Sequence, residues 1–451
     1  METFTVREAA AALGSAFDDD TKLSDVCIDT RSITPGCLFL AIRGDRFDGH
    51  DFIEKAFALG AVAALSERPV RSGKPVILVE DTRAAFVALA RWYRLRFALS
   101  LVGVTGSVGK TSTKEMIYAV LSQQLKTLKT EGNLNNAIGL PRTLFRLDGS
   151  YEAAVIEMGM SDFGEISLLS RTACPNIGVI TNIGVSHIET LGSRENILKA
   201  KLELLDGMAS DSPLILNADD DLLSTLGDSL DRDIIYFGID NTGAEVRAVD
   251  ILEQNTTTQF GILYYGRRIE AKIPAIGLHN VRNALAAFCV GLTLDIPAEV
   301  IVRGLAAYEP SGMRQHIVQK NGVTVIEDCY NASPDSMKAS LDVLSSIPCE
   351  GNRVAVLGDM LELGEISDGA HYEIGRLTAM SGADVLLCCG EKAEKLRDGA
   401  LDAGMKKVYY FTEKRALSHF LAQNLQSGDA VLVKASRGMR FEEILEDAFS
   451  R

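Results

Sequence analysis

The segment that most constrains this chain is "GVTGSVGKTSTKEM", residues 103 to 116. The apolar run "LSLVGVTG" leads into it and the helix-competent run "KTSTKEMIYAVLSQQ" continues it, which is the strand–loop–helix order of a phosphate-binding loop. In such a loop the glycines let backbone N–H groups converge on phosphate oxygens, the lysine reaches the β and γ phosphates, and the threonine hydroxyl binds magnesium. The pattern therefore predicts nucleotide contacts at Gly106, Ser107, Val108, Gly109, Lys110, Thr111 and Ser112.

This loop is a variant of the common pattern, because Val104 stands where a glycine is usual. A chance glycine turn before a helix is the alternative interpretation. The complete strand–loop–helix context favours the phosphate loop.

The length of 451 residues exceeds what one hydrophobic core usually serves, so we expect two or three domains. Residues 1–82 alternate short β-type runs with helical stretches and predict a small α/β domain. Residues 83–312 contain the phosphate loop and further apolar strands, and predict a mostly parallel sheet with hairpin-like alternation between 245 and 275. Residues 313–451 predict a Rossmann-like, doubly wound α/β domain without a GxGxxG fingerprint, after a boundary at the Pro- and Gly-containing loop "EPSGMR".

The bulk charge excludes two classes of partner. A formal net charge of −15 argues against nucleic acid and anionic membranes, which proteins bind through lysine and arginine.

The cysteines and the absence of targeting segments indicate the compartment. The eight cysteines show no CxxC pair, which is typical of small core residues in a reducing compartment. No signal peptide and no apolar run of about 20 residues is present. We expect a cytoplasmic protein without membrane insertion.

Carboxylates and other polar residues follow several predicted strands. Glu157 ends the apolar strand "AAVIEMG", as acids that bind magnesium beside a phosphate loop do, although a surface carboxylate is the alternative. In the third domain Asp328, Asp359 and Ser436 come just after strands. Because ligands of open parallel sheets bind at the carboxyl ends of the strands, the third domain is expected to contribute to a site.

One lysine is placed unusually. With Ser193 as N-cap of "SRENILKAKLELLDGM", a helical wheel puts Lys201 within an apolar arc. The other members of that arc are Ile197, Leu198, Leu202, Leu204, Leu205 and Met208. Lys201 either snorkels to solvent, or is a desolvated amine that is nucleophilic toward substrate or toward carbon dioxide. Carbamylation would make it an anion able to share magnesium with His187, a residue that alone would be an ordinary loop histidine.

Together these residues resemble the Mur ligases, ATP-dependent amide-forming enzymes of peptidoglycan synthesis in which a "TGSxGKT" loop, a strand-end glutamate, a histidine and a carbamylated lysine recur in this order. The resemblance covers the whole chain and implies a catalytic set of Lys110, Glu157, His187 and Lys201, with Thr111 as a further metal ligand. The segment "DTRSITPGCLFLAIRGDRFDGHDF" is similar to the UDP-sugar segment of the family, and "GNLNNAIGLP" to its muramoyl loop. The resemblance implies substrate contacts at Thr30, Arg31, Asn135 and Asn136, and ATP contacts at Asn280, Arg314 and Asp328.

Three third-domain segments resemble most the branch of the family that adds D-alanyl-D-alanine to UDP-N-acetylmuramoyl tripeptide: "YNASPDSM", "VLGDMLELG" and "VKASRGMRFEEI". They imply substrate roles for Asn331, Lys434, Ser436 and Arg437, although Cys329 and Ala435 depart from the usual serine and glycine. The resemblance implies ATP and Mg²⁺ as cofactors, these two substrates as the only partners, and a monomer. Neither lysine nor a diamino acid is excluded at the third peptide position.

Other functions use the same phosphate loop. A folylpolyglutamate-type synthetase shares the ATP domain but lacks the separate "DTRSITPGCLFLAI" domain. A kinase, a GTPase or a regulatory nucleotide switch would need neither a buried lysine near a histidine nor a third sheet with site residues. The sequence therefore favours a ligase that activates a carboxylate as an acyl phosphate.

Overall fold

The computed structural model describes residues 1–44, 46–227, 229–310 and 312–449, which form three α/β domains. Ser311, in the loop predicted as the second boundary, and Ser450 and Arg451 at the end of the predicted third domain lie outside the described residues. The α/β class and the mostly parallel sheets predicted from the sequence are confirmed. Within the described ranges no helix is long and apolar enough to cross a membrane.

The first domain contains a four-stranded parallel sheet in the order β3-β4-β5-β6 and a small antiparallel pair of β1 and β2. Its elements are β1 (Phe4–Thr5), α1 (Val6–Ala12), β2 (Lys22–Leu23), β3 (Asp25–Cys27), β4 (Cys37–Leu40), α2 (Ile53–Leu59), β5 (Ala63–Ser66), β6 (Val76–Leu78) and α3 (Thr82–Arg94). The predicted boundary at 82 is the first residue of α3. This helix packs against two helices of the next domain, so one apolar core runs through both.

The middle domain has a nine-stranded sheet in the order β15-β14-β13-β12-β11-β10-β7-β9-β8. Its strands are β7 (Ser100–Thr105), β8 (Thr127–Lys129), β9 (Ala153–Glu157), β10 (Ile177–Ile180), β11 (Leu214–Asn217), β12 (Ile234–Gly238), β13 (Val246–Gln254), β14 (Thr257–Tyr264) and β15 (Arg267–Ile273). Strands β7 to β13 pair in parallel, whereas β13, β14 and β15 form the antiparallel meander predicted between 245 and 275.

Helices cover both faces of this sheet, as a parallel sheet requires. They are α4 (Lys110–Leu121), α5 (Gly139–Leu144), α6 (Glu165–Ala173), α7 (Ile188–Leu191), α8 (Arg194–Leu202), α9 (Leu278–Thr293) and α10 (Ala298–Ala306). Helix α4 packs against α9 and α10 on one face, and the core with α5 and α6 lies on the other. The phosphate loop therefore joins a central strand to a buried helix.

The third domain is a six-stranded sheet in the order β16-β17-β21-β18-β19-β20, parallel except for the edge strand β16. Its elements are β16 (His316–Lys320), β17 (Val323–Glu327), α11 (Pro334–Ser346), β18 (Arg353–Gly358), α12 (Ser367–Met380), β19 (Val385–Cys389), α13 (Ala393–Asp402), β20 (Val408–Phe411), α14 (Lys414–Asn424), β21 (Ala430–Lys434) and α15 (Glu442–Phe449). The apolar runs "VTVIED", "RVAVLGDM", "ADVLLCCG", "KVYYF" and "DAVLVKAS" predict five strands, and these correspond to β17, β18, β19, β20 and β21. Strand β16 was not predicted, because it is an exposed edge strand of mixed polarity.

The helix that contains Lys201 is shorter than predicted. Ser193 is the N-cap and its hydroxyl accepts a hydrogen bond from the Asn196 backbone N–H. Helix α8 ends at Leu202, and the chain continues as a 3-10 helix over Glu203–Gly207. A Cβ atom at Gly207 would lie 2.1 Å from the Ser170 carbonyl carbon and oxygen, so the tighter turn lets the chain pass close to α6.

Helices α12 and α13 approach each other through glycines, which generates a test of the third-domain fold. A Cβ atom at Gly375 would lie 2.0 Å from the Leu396 carbonyl oxygen, whereas a Cβ atom at Gly369 of the same helix has no atom within 4 Å. We expect Gly375→Ala to destabilise the protein by about 1–3 kcal/mol because the helices must separate, although alanine is the better helix former. Gly369→Ala should be neutral or stabilising by up to about 1 kcal/mol. Urea unfolding of both variants measures the difference, and equal stabilities would contradict this packing.

Candidate active site

A cavity of about 830 Å³ lies between the middle and third domains. Loops that follow the carboxyl ends of middle-domain strands form one wall and residues that follow β17 form the other, the position where open parallel sheets bind ligands. The predicted site residues that line the cavity are Ser107, Val108, Gly109, Lys110, Thr111, Ser112, Asn135, Asn136, Glu157, His187, Asn280, Arg314, Asp328, Asn331 and Lys434. The predicted residues that do not line it are Thr30, Arg31, Gly106, Lys201, Ser436 and Arg437.

The phosphate loop has the backbone that its glycines permit. Gly106 and Gly109 adopt φ angles of 148° and 85°, which residues with a side chain rarely adopt. A Cβ atom at Gly109 would also lie 2.7 Å from Asn283 Oδ1 on α9. Lys110 Nζ folds back and donates to the carbonyl oxygens of Gly106 at 2.7 Å and Ser107 at 3.2 Å. The lysine ammonium is thus held at the mouth of the loop.

Asn182, two residues after the end of the adjacent strand β10, holds the same loop. Its Oδ1 accepts from the Val108 N–H at 2.9 Å, and its Nδ2 donates to the Val108 carbonyl at 2.9 Å. Its backbone carbonyl accepts from the Ser107 N–H at 3.0 Å. Asn182 was not among the predicted residues; the polar pair "TN" directly after the buried strand "IGVI" is the sequence signal that points to it.

Glu157 is buried at the end of β9 and has partners from helix α4 and from the loop after β8. Its Oε2 accepts from the Thr111 hydroxyl at 2.8 Å and its Oε1 accepts from Asn135 Nδ2 at 2.8 Å. Lys114 Nζ, also buried, lies 3.8 Å from Oε2. The prediction that Glu157 stands beside the phosphate loop is therefore matched by direct contact with Thr111.

The oxygen donors of this region suit magnesium. Among the described residues no three His, Cys, Asp or Glu side chains group closely enough to hold a metal by themselves. Mg²⁺ however is commonly bound by one or two protein oxygens together with nucleotide phosphates and water. The Thr111 hydroxyl and the Glu157 carboxylate at the phosphate loop fit that requirement.

Lys201 is buried, with 1% of its surface exposed. Burial lowers the pKa of its ammonium well below the usual value, and the charge of Lys110 acts in the same direction. Snorkelling requires an ammonium that reaches solvent, so this degree of burial disfavours it. Both influences destabilise the charged form of this amine relative to the neutral form.

The third domain brings a second set of polar groups to the cavity. Buried Lys434 donates from Nζ to Asp328 Oδ2 at 2.7 Å and to the Asn331 carbonyl at 3.1 Å. The Ser340 hydroxyl donates to the same Asp328 oxygen at 2.5 Å. Arg314 stacks with its guanidinium 3.7 Å from the centre of the Tyr330 ring. Asp328 and Arg314 are therefore each positioned by a neighbour from the third domain.

Asn280, predicted to contact ATP, is connected to the third domain through Gln315. Gln315 Oε1 accepts from Asn280 Nδ2 at 2.9 Å and lies 2.9 Å from His279 Nε2. Burial lowers the pKa of His279. Of these residues only Asn280 was predicted; His279 and Gln315 were not, and Tyr330, which begins the segment "YNASPDSM", was given no role there.

His187 contacts the third domain. Its Nδ1 lies 2.8 Å from Glu362 Oε2, and both residues adopt a φ of 63°, which is uncommon for residues other than glycine. The hydrogen bond from His187 is the main cause that lowers the pKa of the Glu362 carboxyl, and the burial of this group opposes it. Glu362 was not predicted as a site residue, because its contact with His187 joins positions that are far apart in the sequence.

Ser436 supports the loop that holds Glu362. Its hydroxyl accepts from the Leu361 N–H at 2.9 Å. Asp359, which begins this loop, caps the chain near α13 by accepting from the Glu391 and Ala393 N–H groups. Arg437 pairs with Glu442 at 2.7 Å, outside the cavity.

Thr30 and Arg31 lie in the first domain, on the 3-10 helix Thr30–Ser32. The Arg31 side chain is 88% exposed and pairs with Asp29 at 2.6 Å. These two residues are available to a ligand at the surface but are not part of the cavity.

Three family models match successive parts of this chain. Residues 22–94 match the Mur ligase family, catalytic domain; residues 104–291 match the Mur ligase middle domain; and residues 313–437 match the Mur ligase, glutamate ligase domain. Each match falls within one of the three domains described above. The first match ends with helix α3, which also packs against helices of the middle domain.

Individual relatives agree along nearly the full length. The chain is 41% identical to the UDP-N-acetylmuramoyl-tripeptide–D-alanyl-D-alanine ligase of Bacillus subtilis, over 95% of this chain and 94% of that protein. It is 36% identical to the ligase of the same name from Escherichia coli, over 94% of each.

Solved structures show the same similarity. A crystal structure of MurF from Acinetobacter baumannii superposes with a TM-score of 0.94 at 31% identity, over all of both chains. MurF from Thermotoga maritima in complex with ADP superposes with a TM-score of 0.85 at 31% identity, over 94% of this chain and 97% of that one. The chain belongs to the Mur ligase family.

Proposed function

We propose that this chain is an ATP-dependent ligase that joins D-alanyl-D-alanine to UDP-N-acetylmuramoyl tripeptide. The products are ADP, phosphate and the UDP-muramoyl pentapeptide used in peptidoglycan synthesis. The proposal is supported by the names of the full-length relatives and by the ADP complex of the Thermotoga maritima MurF.

The main structural support for this function is a cavity shared by two domains. A phosphate loop in the middle domain and the Asp328–Lys434 pair in the third domain face one cavity. A nucleotide switch needs only the loop, whereas a ligase must bring a nucleotide, a carboxylate and an amine together. A cavity shared by two sheets supplies room for all three.

Different residues of the cavity have different roles in the proposed reaction. The γ phosphate of ATP is transferred to the terminal carboxylate of the tripeptide, and the dipeptide amine then displaces phosphate from the acyl phosphate. Lys110 stabilises the migrating phosphoryl group by its charge, and Asn135 orients Glu157 through the hydrogen bond between them. Mg²⁺ would be held by Thr111 and Glu157, with His187 and carbamylated Lys201 as further ligands, and would neutralise phosphate charge. Contact between the two domains excludes water, which would otherwise hydrolyse the acyl phosphate.

Lys201 acts as an anion in this proposal. Its neutral amine nitrogen bonds to the carbon of CO₂ and releases one proton, which leaves a carbamate of the charge opposite to that of a lysine. Desolvation supplies the neutral amine that this step needs.

We propose that the enzyme works in the cytoplasm as a monomer, with no partners besides its substrates. The net charge of −15 supports the absence of a nucleic-acid partner. Gel filtration with light scattering measures the oligomeric state.

The function is tested by measuring ADP and phosphate release. We expect release only when ATP, UDP-N-acetylmuramoyl tripeptide and D-alanyl-D-alanine are all present, with pentapeptide formed in equal amount. Release that is independent of the dipeptide would contradict the ligase and favour a simple nucleotidase or switch.

The carbamate is tested at Lys201. We expect Lys201→Ala to be nearly inactive and partly rescued by acetate, which can occupy the vacated space with the charge of a carbamate. Lys201→Arg should stay inactive, because a guanidinium has the wrong charge. A fully active Lys201→Arg enzyme, or an unmodified amine in a high-resolution map of the active complex, would return this residue to a purely structural role.

The nucleotide role of Asp328 is tested by its substitution. We expect Asp328→Ala to raise the KM for ATP while the affinity for the UDP substrate stays nearly unchanged. Since this change leaves the buried Lys434 ammonium without its carboxylate, it also destabilises the third domain by roughly 3–5 kcal/mol. The double variant Asp328→Ala/Lys434→Met removes both charges and serves as the control for stability. Loss of UDP-substrate affinity alone would contradict the assignment.

A further inference from the structure

Four carboxylates line the cavity, and their partners differ. Glu157 lies near Lys114, and Asp328 pairs with Lys434. Glu165, in the middle domain, accepts a hydrogen bond from the backbone N–H of Ser161. Glu362 has His187 as its charged neighbour and no lysine or arginine within ion-pair distance among the described residues. Of the two third-domain carboxylates in the cavity, Asp328 is therefore paired with a lysine, whereas Glu362 is available to bind a cationic group of a ligand.

The loop that holds Glu362 is fixed by hydrogen bonds and by a close packing contact. The Leu361 N–H is bound by the Ser436 hydroxyl, and the Met360 N–H donates to His371 Nε2 at 2.9 Å. Gly364 packs against Glu189 of α7, where a Cβ atom would lie 3.2 Å from that residue's backbone. The left-handed backbone at Glu362 is therefore maintained from both sides, as strained residues of binding sites are.

Among the reacting groups of the proposed substrates, one matches this carboxylate; the side-chain amine of the third peptide residue belongs to the UDP substrate, and the KM comparison below distinguishes it from the dipeptide amine. ATP, the diphosphate and the tripeptide carboxylate bring negative charge to the cavity. The dipeptide brings an α-amino group, which near pH 7 is mostly a protonated ammonium. A carboxylate binds such an ammonium through charge-assisted hydrogen bonds.

We propose that Glu362 is the subsite for the amino group of the incoming dipeptide, which it holds beside His187 at the boundary between the two domains. The inference rests on the proposed function and adds a binding residue that the sequence motifs did not assign. The Glu362 side chain is 61% exposed towards the cavity side of the loop, so it can exchange its contact with His187 for one with a ligand.

A contact that only joins the two domains is the competing explanation. Such a contact would affect every step that needs the closed arrangement, and so would change the kinetics for all substrates. A subsite for the amine affects the dipeptide alone.

The test is steady-state kinetics of the full-length chain with Glu362→Gln, which keeps the size of the side chain and removes its charge. We expect the KM for D-alanyl-D-alanine to rise roughly tenfold or more, while the KM values for ATP and the UDP substrate change less than about twofold. The matched control is Glu365→Gln, an exposed glutamate of the same loop that does not line the cavity.

Two analogues add a binding readout. N,N-dimethyl-D-alanyl-D-alanine keeps the positive charge but cannot form an amide, and N-acetyl-D-alanyl-D-alanine is neutral at that nitrogen. We expect the dimethyl analogue to inhibit the wild type more strongly than the acetyl analogue, and Glu362→Gln to lose that preference.

The outcomes separate the two proposals. An unchanged dipeptide KM in Glu362→Gln, an equal rise for all three substrates, or a loss of kcat alone would overturn this inference while wild-type turnover still supports the ligase. A wild type without dipeptide-dependent ADP release would overturn the ligase and the inference with it.

Discussion

The buried carboxylate of Glu157 organises the nucleotide end of the site. A charge placed in a protein interior is costly unless hydrogen bonds and an opposite charge accompany it. Here the hydroxyl of Thr111, the amide of Asn135 and the ammonium of Lys114 meet it. Two of these groups come from α4 and one from the asparagine loop after β8, so satisfying one carboxylate fixes the helix and the loop against β9.

The second constraint is the way the third domain meets the middle one. The polar contacts between them include the His187–Glu362 pair, the Gln315 contacts with His279 and Asn280, and Asp335 against Gly184. At Gly184 a Cβ atom would lie 2.3 Å from Asp335 Oδ2, so the close approach depends on the missing side chain. Nearly all of these groups are polar. Polar contacts of this kind can be exchanged for water or substrate, which suits an interface that must release its product.

The sequence predicted what local patterns encode. Strands β7, β9 and β10 are continuous apolar runs, and the glycines of the phosphate loop require their own turn, so the loop and Glu157 could be located. Periodicity alone placed Lys201 among apolar neighbours, and the structure buries it. Glu362, Gln315 and Asn182 could not be found in this way, because each has an ordinary polar side chain whose role depends on a partner from another segment. The end of α8 was missed for a similar reason, since the tight passage of Gly207 along α6 is a tertiary contact.

Two buried lysines of the middle domain show how burial alone does not decide charge. Lys114 lies 3.0 Å from Glu115 and 3.8 Å from Glu157, and donates to the Thr130 carbonyl at 2.8 Å, so its ammonium is compensated on every side. Lys201 is equally buried but is shifted by desolvation and by the like charge of Lys110, with no carboxylate among the causes of its shift. Carboxylates thus lie beside the first lysine, whereas desolvation and a like charge lower the pKa of the second. The same degree of burial is therefore accompanied by different electrostatic surroundings in the two lysines, and the lowered pKa of Lys201 is the property on which the proposed carbamate depends.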